Sequence, residues 1–136
     1  MSDNARFRPI VLAPGQGRAY ALGAMSAVFK ADEAETGATY SISEWFLEPN
    51  SSGPGPHSHT DHDDIFYVIE GVMSVRIGDD WVDAGVGGFV RAPAGVVHDF
   101  ANRTDRRAGV LNIYIPGGFE RDMAGIVKWF ETQPKP

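Results

Sequence analysis

Three of the four histidines, His57, His59 and His62, fall within six positions of one another in the stretch "GPHSHTDHDDIFYVIEG", Gly55 to Gly71. Asp61, Asp63 and Asp64 interleave with them or follow at once, and the apolar run "IFYVI" comes directly after. Neutral imidazole nitrogens and carboxylate oxygens together suit Fe(II), Mn(II), Ni(II), Co(II) or Zn(II). On an extended chain residues i and i+2 share a face, so His57 and His59 can converge on one point. A continuous strand would not bring His62 to both, and His62 reads as a solvated or supporting residue. Asp64 can return to face the pair if the chain reverses through "TDHD". The fourth histidine, His98, lies far along the chain in "PAGVVHDFAN", where it opens a strand after a turn containing Pro93 and Gly95. Strands distant in sequence become neighbours in a barrel. A His-x-His pair alone is common by chance; the combination with His98 gives it weight.

The elements that must position these groups read as short strands. Sixteen glycines and nine prolines in 136 residues punctuate the chain into closely spaced segments. Strands are expected at Pro9–Leu12 as an edge strand, in "RAYALG" and "MSAVFKA", in "TYSISEWFL", and at 64–70, 72–78, 81–84, 88–92, 96–101 and 107–115. In the alternating "TYSISEWFL", one face carries Tyr40, Ile42, Glu44 and Phe46, and the other Ser41, Ser43, Trp45 and Leu47. "DEAETG", Asp32 to Gly37, reads as an exposed acidic loop, and "EPNSSGPGP", Glu48 to Pro56, as a break in regular structure. A parallel sheet would need helical crossovers for which there is no room before residue 115, so an all-β sandwich or barrel is expected. "FERDMAGIVKWFE" then places Phe119, Met123, Ile126, Val127 and Phe130 on one face of a C-terminal helix, expected to pack on the barrel.

Composition narrows the partners. The formal net charge is −6, which argues against nucleic acid, since phosphate binding needs a concentrated basic surface. The basic cluster Arg103, Arg106 and Arg107 reads as a solvated turn. There is no cysteine and so no disulfide or thiolate chemistry. Met1 to Phe7 lacks the apolar core of a signal peptide, and no apolar run approaches the ~20 residues that span a bilayer. One soluble cytoplasmic domain over 1–136 with a small-molecule partner is the expectation, its first residues, Ser2 to Arg6, mobile.

The two histidine segments resemble the two motifs of the cupin superfamily. His57, His59, Asp64 and Gly71 stand where the first motif has two histidines, an acid and a glycine. Gly87, Pro93, Gly95, His98 and Asn102 match every position of the second, and the short separation is similar to that of small bacterial cupins. The resemblance covers about 39–115, and "PGGFE" after it looks like the corresponding region of quercetin-dioxygenase-like cupins. It implies a jelly-roll β-barrel, a divalent transition metal on His57, His59 and His98, and a metal-dependent enzyme of dioxygenase type acting on a small oxygenated molecule. Isomerase, lyase or cyclase chemistry and a non-catalytic ligand-binding module are the alternatives. The family's usual acid is glutamate. Aspartate is one methylene shorter, so Asp64 either ligates with its backbone drawn closer, ligates an ion that sits nearer its strand, ligates through water, or leaves the ion to three histidines. Asp64, Glu44 and Tyr40 are the candidate bases. Ile42, Phe46, Phe66, Val68, Arg91 and Phe100 are candidate pocket residues, with Arg91 either holding an anionic or enolate oxygen or, as the favoured alternative, facing solvent. A homodimer through the N-terminal strands follows from analogy.

Overall fold

The structure is a computed structural model, and it describes residues 7–133. The expectation for Ser2 to Arg6 lies outside those residues. Ten strands form two sheets in which every pairing is antiparallel. They are β1 (Arg18–Leu22), β2 (Met25–Ala31), β3 (Ser41–Leu47), β4 (Ser51–Ser52), β5 (Asp63–Glu70), β6 (Val72–Ile77), β7 (Asp80–Gly85), β8 (Phe89–Ala92), β9 (His98–Asn102) and β10 (Ala108–Ile115). The larger sheet runs β1-β2-β3-β10-β5-β8 and the smaller runs β4-β9-β6-β7. Order and sequence are scrambled in the manner of a jelly roll, in which consecutive strands leave one sheet and return in the other.

Alternation decides what fills the space between the sheets. β2 and β3 each bury every second residue, ending in Ala27, Phe29 and Ala31 on one and Ser43, Trp45 and Leu47 on the other. β5 contributes Phe66 and Val68, β6 contributes Met73 and Val75, β9 contributes Phe100, and β10 contributes Val110, all in one buried cluster. Gly71 turns the chain from β5 into β6 at φ 64°, and a Cβ there would lie 2.4 Å from the Arg107 carbonyl oxygen. Only glycine meets both conditions.

The all-β reading with a C-terminal helix therefore stands, with local corrections. Pro9–Leu12 forms no strand; β1 is the edge of its sheet, and Ile10, Val11 and Leu12 are exposed. Asp32–Gly37 is not a loop. Glu33–Thr36 makes one helical turn, α1, because the Glu35 carboxylate accepts from the Asp32 backbone N–H and Gly37 closes the turn at φ 64°. Within Glu48–Pro56, β4 pairs with Ala101 and Asn102 of β9. The face of β3 assigned to the pocket is the outer one. Ser41, Ser43, Trp45 and Leu47 point inward, so Ile42, Glu44 and Phe46 face outward and Tyr40 is 40% exposed just before the strand. Glu44 is taken up by Lys30 at 3.4 Å, and the Arg107 guanidinium lies over the Phe46 ring. Alternation names two faces without saying which is wet, and the apolar Ile42 and Phe46 made the wrong one look like core.

After β10 a 3-10 turn, Phe119–Asp122, leads into α2, Met123–Glu131. Met123 is fully buried, and Phe119, Ile126, Val127 and Phe130 pack against the core. Asp32, 2% exposed, fixes the entry to this segment. Its carboxylate accepts from the backbone N–H of Gly118 and of Glu120, both at 2.6 Å. Glu120 in turn accepts from Arg18 and from the Tyr20 hydroxyl.

Asp32→Ala leaves the buried Gly118 amide and the half-buried Glu120 amide unpaired and should cost about 2–3 kcal/mol in urea unfolding, with faster hydrogen exchange concentrated in 119–131. Burial pushes the Glu120 carboxyl up, but the hydrogen bonds from Arg18 and Tyr20 outweigh it and hold the group below its ordinary value. A depressed folded pKa means the contribution is complete above the ordinary value and disappears as pH falls through the folded one. The gap in melting temperature between the wild type and Glu120→Gln should therefore be present at neutral pH and close in acid.

Candidate metal centre

The first motif is held against the second by backbone bonds. Gly55 N–H donates to Asp99 Oδ1, His57 and His98 exchange N–H···O=C bonds of 3.0 and 2.8 Å, and Gly95 N–H donates to the His59 carbonyl oxygen at 2.7 Å. His57 and His59 thus lie on a short extended segment laid along the start of β9 instead of on a full strand. Gly53 permits the approach, since a Cβ there would stand 2.0 Å from the Phe100 carbonyl oxygen. The chain then reverses through 60–62, and β5 brings Asp64 back inward on the same face as Phe66 and Val68.

His57, His59, Asp64 and His98 consequently present four ligand-type atoms within 4.8 Å of one another. The His57 and His98 rings lie 4.4 Å apart, and the His59 ring is 5.2 Å from each. His57 Nδ1–H donates to the Gly55 carbonyl at 2.7 Å, and His98 Nδ1–H to the Val96 carbonyl at 3.0 Å. Each ring is pinned through the nitrogen that faces away from the cluster, which leaves Nε2 facing in. His98 Nε2 is 2.9 Å from Asp64 Oδ2. His59 Nε2 is 3.4 Å from the same oxygen but misaligned, so among the described residues it is buried with no hydrogen-bond partner.

Asp64 is 4% exposed. Burial pushes its carboxyl up, but His59, His98 and the Asn112 amide outweigh burial and hold it at about 2. Asn112 Nδ2 donates both to Asp64 Oδ1 and to the Ile65 carbonyl. Burial lowers the His57 pKa; at His98 burial acts in the same direction, yet Asp64 and the Val96 carbonyl overcome it and raise the value. The Tyr114 hydroxyl lies 3.4 Å from His59 Nδ1, and burial with the nearby Asp64 charge pushes that phenol up to about 12. His62 stands outside the cluster and stacks on Tyr114 at 4.4 Å with the planes 14° apart. Three imidazoles with Nε2 free to point inward, one of them unpartnered, and one ionised carboxylate are a donor set that fits a divalent transition metal.

Beside the cluster is a cavity of about 60 Å³. Phe66 and Phe100, two of the pocket candidates, line it together with Trp45, Phe119, Ile126 and Phe130, which the sequence did not assign to a pocket. Val68 points inward but sits deeper in the core, away from the cavity. Of the two readings of Arg91 the pocket one is corrected: the residue faces solvent on β8, donating to Asp63 at 2.8 and 3.0 Å. Its register partner is Ile65, on the outward parity of β5. Asn112 and Tyr114 were also missed. The only available signal was a lone amide in the apolar strand "GVLNIYI", at an inward position two residues from a tyrosine.

A family model described as "Cupin domain" matches residues 43–114, and the chain belongs to this family. No curated protein sequence matches it. Among solved structures, KdgF from Halomonas sp. is 18% identical with a TM-score of 0.64, over 72% of this chain and 84% of that one. An RmlC-like cupin from Shewanella frigidimarina is 14% identical with a TM-score of 0.68, over 81% and 93%. Bacillus subtilis oxalate decarboxylase, a protein with Mn(II) centres, is 20% identical with a TM-score of 0.66, over 76% of this chain and 28% of that one. At these identities the likeness is one of fold.

Asn112→Ala leaves Asp64 Oδ1 buried without a partner. It should raise the Asp64 pKa and cost about 1–3 kcal/mol in the metal-free protein, measured by urea unfolding at neutral pH.

Proposed function

We propose that His57, His59, His98 and Asp64 hold one divalent transition-metal ion, and that the chain is a metal-dependent enzyme acting on a small oxygenated organic molecule, by dioxygenase-type chemistry. The observation that carries the reading is the buried, unpartnered Nε2 of His59, facing a carboxylate and two further imidazoles. A buried polar atom left unpaired is costly, and a cation shared with its neighbours removes the cost. The Mn(II) centres of one cupin-fold neighbour agree with it.

When bound, such an ion supplies Lewis acidity at positions the protein leaves open and, if redox-active, a route for dioxygen. The chain's own residues do the rest. Asn112 fixes the Asp64 carboxylate, the Gly55 and Val96 carbonyls fix the His57 and His98 rings, and Tyr114 borders His59. Trp45, Phe66 and Phe100 keep the space beside the cluster dry.

The isomerase, lyase or cyclase alternative needs a free base at the cavity. Glu44 and Tyr40 lie outside it, and both oxygens of Asp64 are engaged, by Asn112 on one side and His98 on the other. That arrangement favours a substrate that brings its own acidic proton.

Elemental analysis of the purified protein should give about one transition-metal ion per chain, falling to background in His59→Ala and in Asp64→Ala. An oxygen electrode with a panel of flavonols and small enols should then register uptake by the loaded wild type. Metal without uptake would turn the reading to non-oxidative chemistry, and a metal-free protein would turn it to a ligand-binding module.

A further inference from the structure

We infer that this site, on the reading proposed above, takes a small ring-bearing molecule with one ionisable oxygen, a phenol or an enol, and rejects dianions such as oxalate. The inference rests on what the cavity wall contains. Its polar members are His57, Asp64 and Asn112, and all three belong to the cluster or support it. Among the described residues no arginine or lysine lines the cavity. Arg91 is spent on Asp63 at the surface.

The charge count follows. A divalent ion among three neutral imidazoles and one carboxylate keeps a single net positive charge. One deprotonated oxygen neutralises it, its proton passing to solvent. A dicarboxylate would overshoot, leaving a negative charge buried among Trp45, Phe66 and Phe100 with no cation or donor to meet it, and an unpaired buried charge is strongly disfavoured. The same rings offer faces and edges to an aromatic frame: Phe66 and Phe100 lie 5.7 Å apart, and Trp45 meets Phe100 edge-on at 6.4 Å.

Size adds a second condition. A cavity of about 60 Å³ falls well short of the roughly 150 Å³ of a cavity that takes up benzene, so it is smaller than a six-membered ring needs. One wall must give way. The barrel walls are strands locked by their ladders. Phe119, Ile126 and Phe130 come instead from the C-terminal segment, which closes the cavity from outside the sheets. That segment therefore sets the upper size of ligand, with Phe130 and Ile126 as the size-determining side chains.

The test uses the full chain loaded with nickel(II) and kept free of dioxygen, so that binding is read without oxidative turnover. Metal content is measured first, then binding of p-cresol, 2-naphthol and oxalate by calorimetry. p-Cresol should bind at least about tenfold more tightly than oxalate. Phe130→Ala should improve 2-naphthol roughly tenfold while changing p-cresol little; Ile126→Ala serves if that variant does not fold. Nickel retained with oxalate binding as well as p-cresol overturns this inference and leaves the metal reading standing. Naphthol binding unmoved in both variants likewise overturns the size assignment. A chain that retains no nickel sinks the metal reading and this inference with it.

Discussion

An ionised carboxylate inside a hydrophobic core is the constraint around which this molecule is arranged. Asp64 is nearly sealed from water, and burial alone would drive it to the neutral form. It stays charged because three groups from three different parts of the chain reach it. His98 arrives on β9 of the smaller sheet, Asn112 on β10 of the larger one, and His59 on the segment pinned to β9. His59 is a near neighbour in sequence, but His98 and Asn112 reach Asp64 from 34 and 48 residues away. The two sheets must close on each other at this end before the charge is satisfied, so the site and the fold form together.

Much of the remaining polar hardware serves that closure. Asn102 is buried in the second histidine segment yet touches no member of the cluster. Its amide donates to the carbonyls of Leu47, Glu48 and Arg106, and its Oδ1 accepts from Thr104. It ties β9 to the end of β3 and shapes the turn into β10. Asp99 does comparable work for the approach of Gly55. Asp32 plays the part for the C-terminal segment, gripping the amides on either side of Phe119, a wall residue of the cavity. A buried polar side chain that satisfies two or three backbone groups fixes a crossing more firmly than apolar contact, which tolerates sliding.

How much of this the sequence disclosed differs by element. The strands of the two motif regions were legible because glycine and proline bound them tightly and the apolar residues alternate. The convergence of His57, His59, Asp64 and His98 was legible through spacing joined to the cupin resemblance. The wet and dry faces of β3 were not. Ser41 and Ser43 look like surface residues, while Ile42 and Phe46 look like core, yet the serines point in, with Ser43 accepting from Trp45 Nε1. The pocket reading of Arg91 stayed open for a related reason: its pairing with Asp63 depends on β8 lying beside β5, a register the sequence does not print. Asn112 and Tyr114 were hidden because their value lies wholly in what faces them from other strands.

The short acid at position 64 has a physical explanation in this arrangement. Asp64 stands on β5 opposite Tyr114 of β10, with Ala92 of β8 on its other side. That register carries its backbone close to the cluster, and the carboxylate comes within 2.9 Å of His98 without a longer stem. Asn112 then occupies the space behind Oδ1 that a glutamate's extra methylene would need. The loss of reach in the acid and the presence of an amide on the neighbouring strand are thus two sides of one solution. A longer acid would have to expel the Asn112 side chain from its bonds to Asp64 and to the Ile65 carbonyl, or bend out of the cluster. Aspartate here is compatible with a complete donor set because a partner strand supplies, through Asn112, the support that a longer side chain would have displaced.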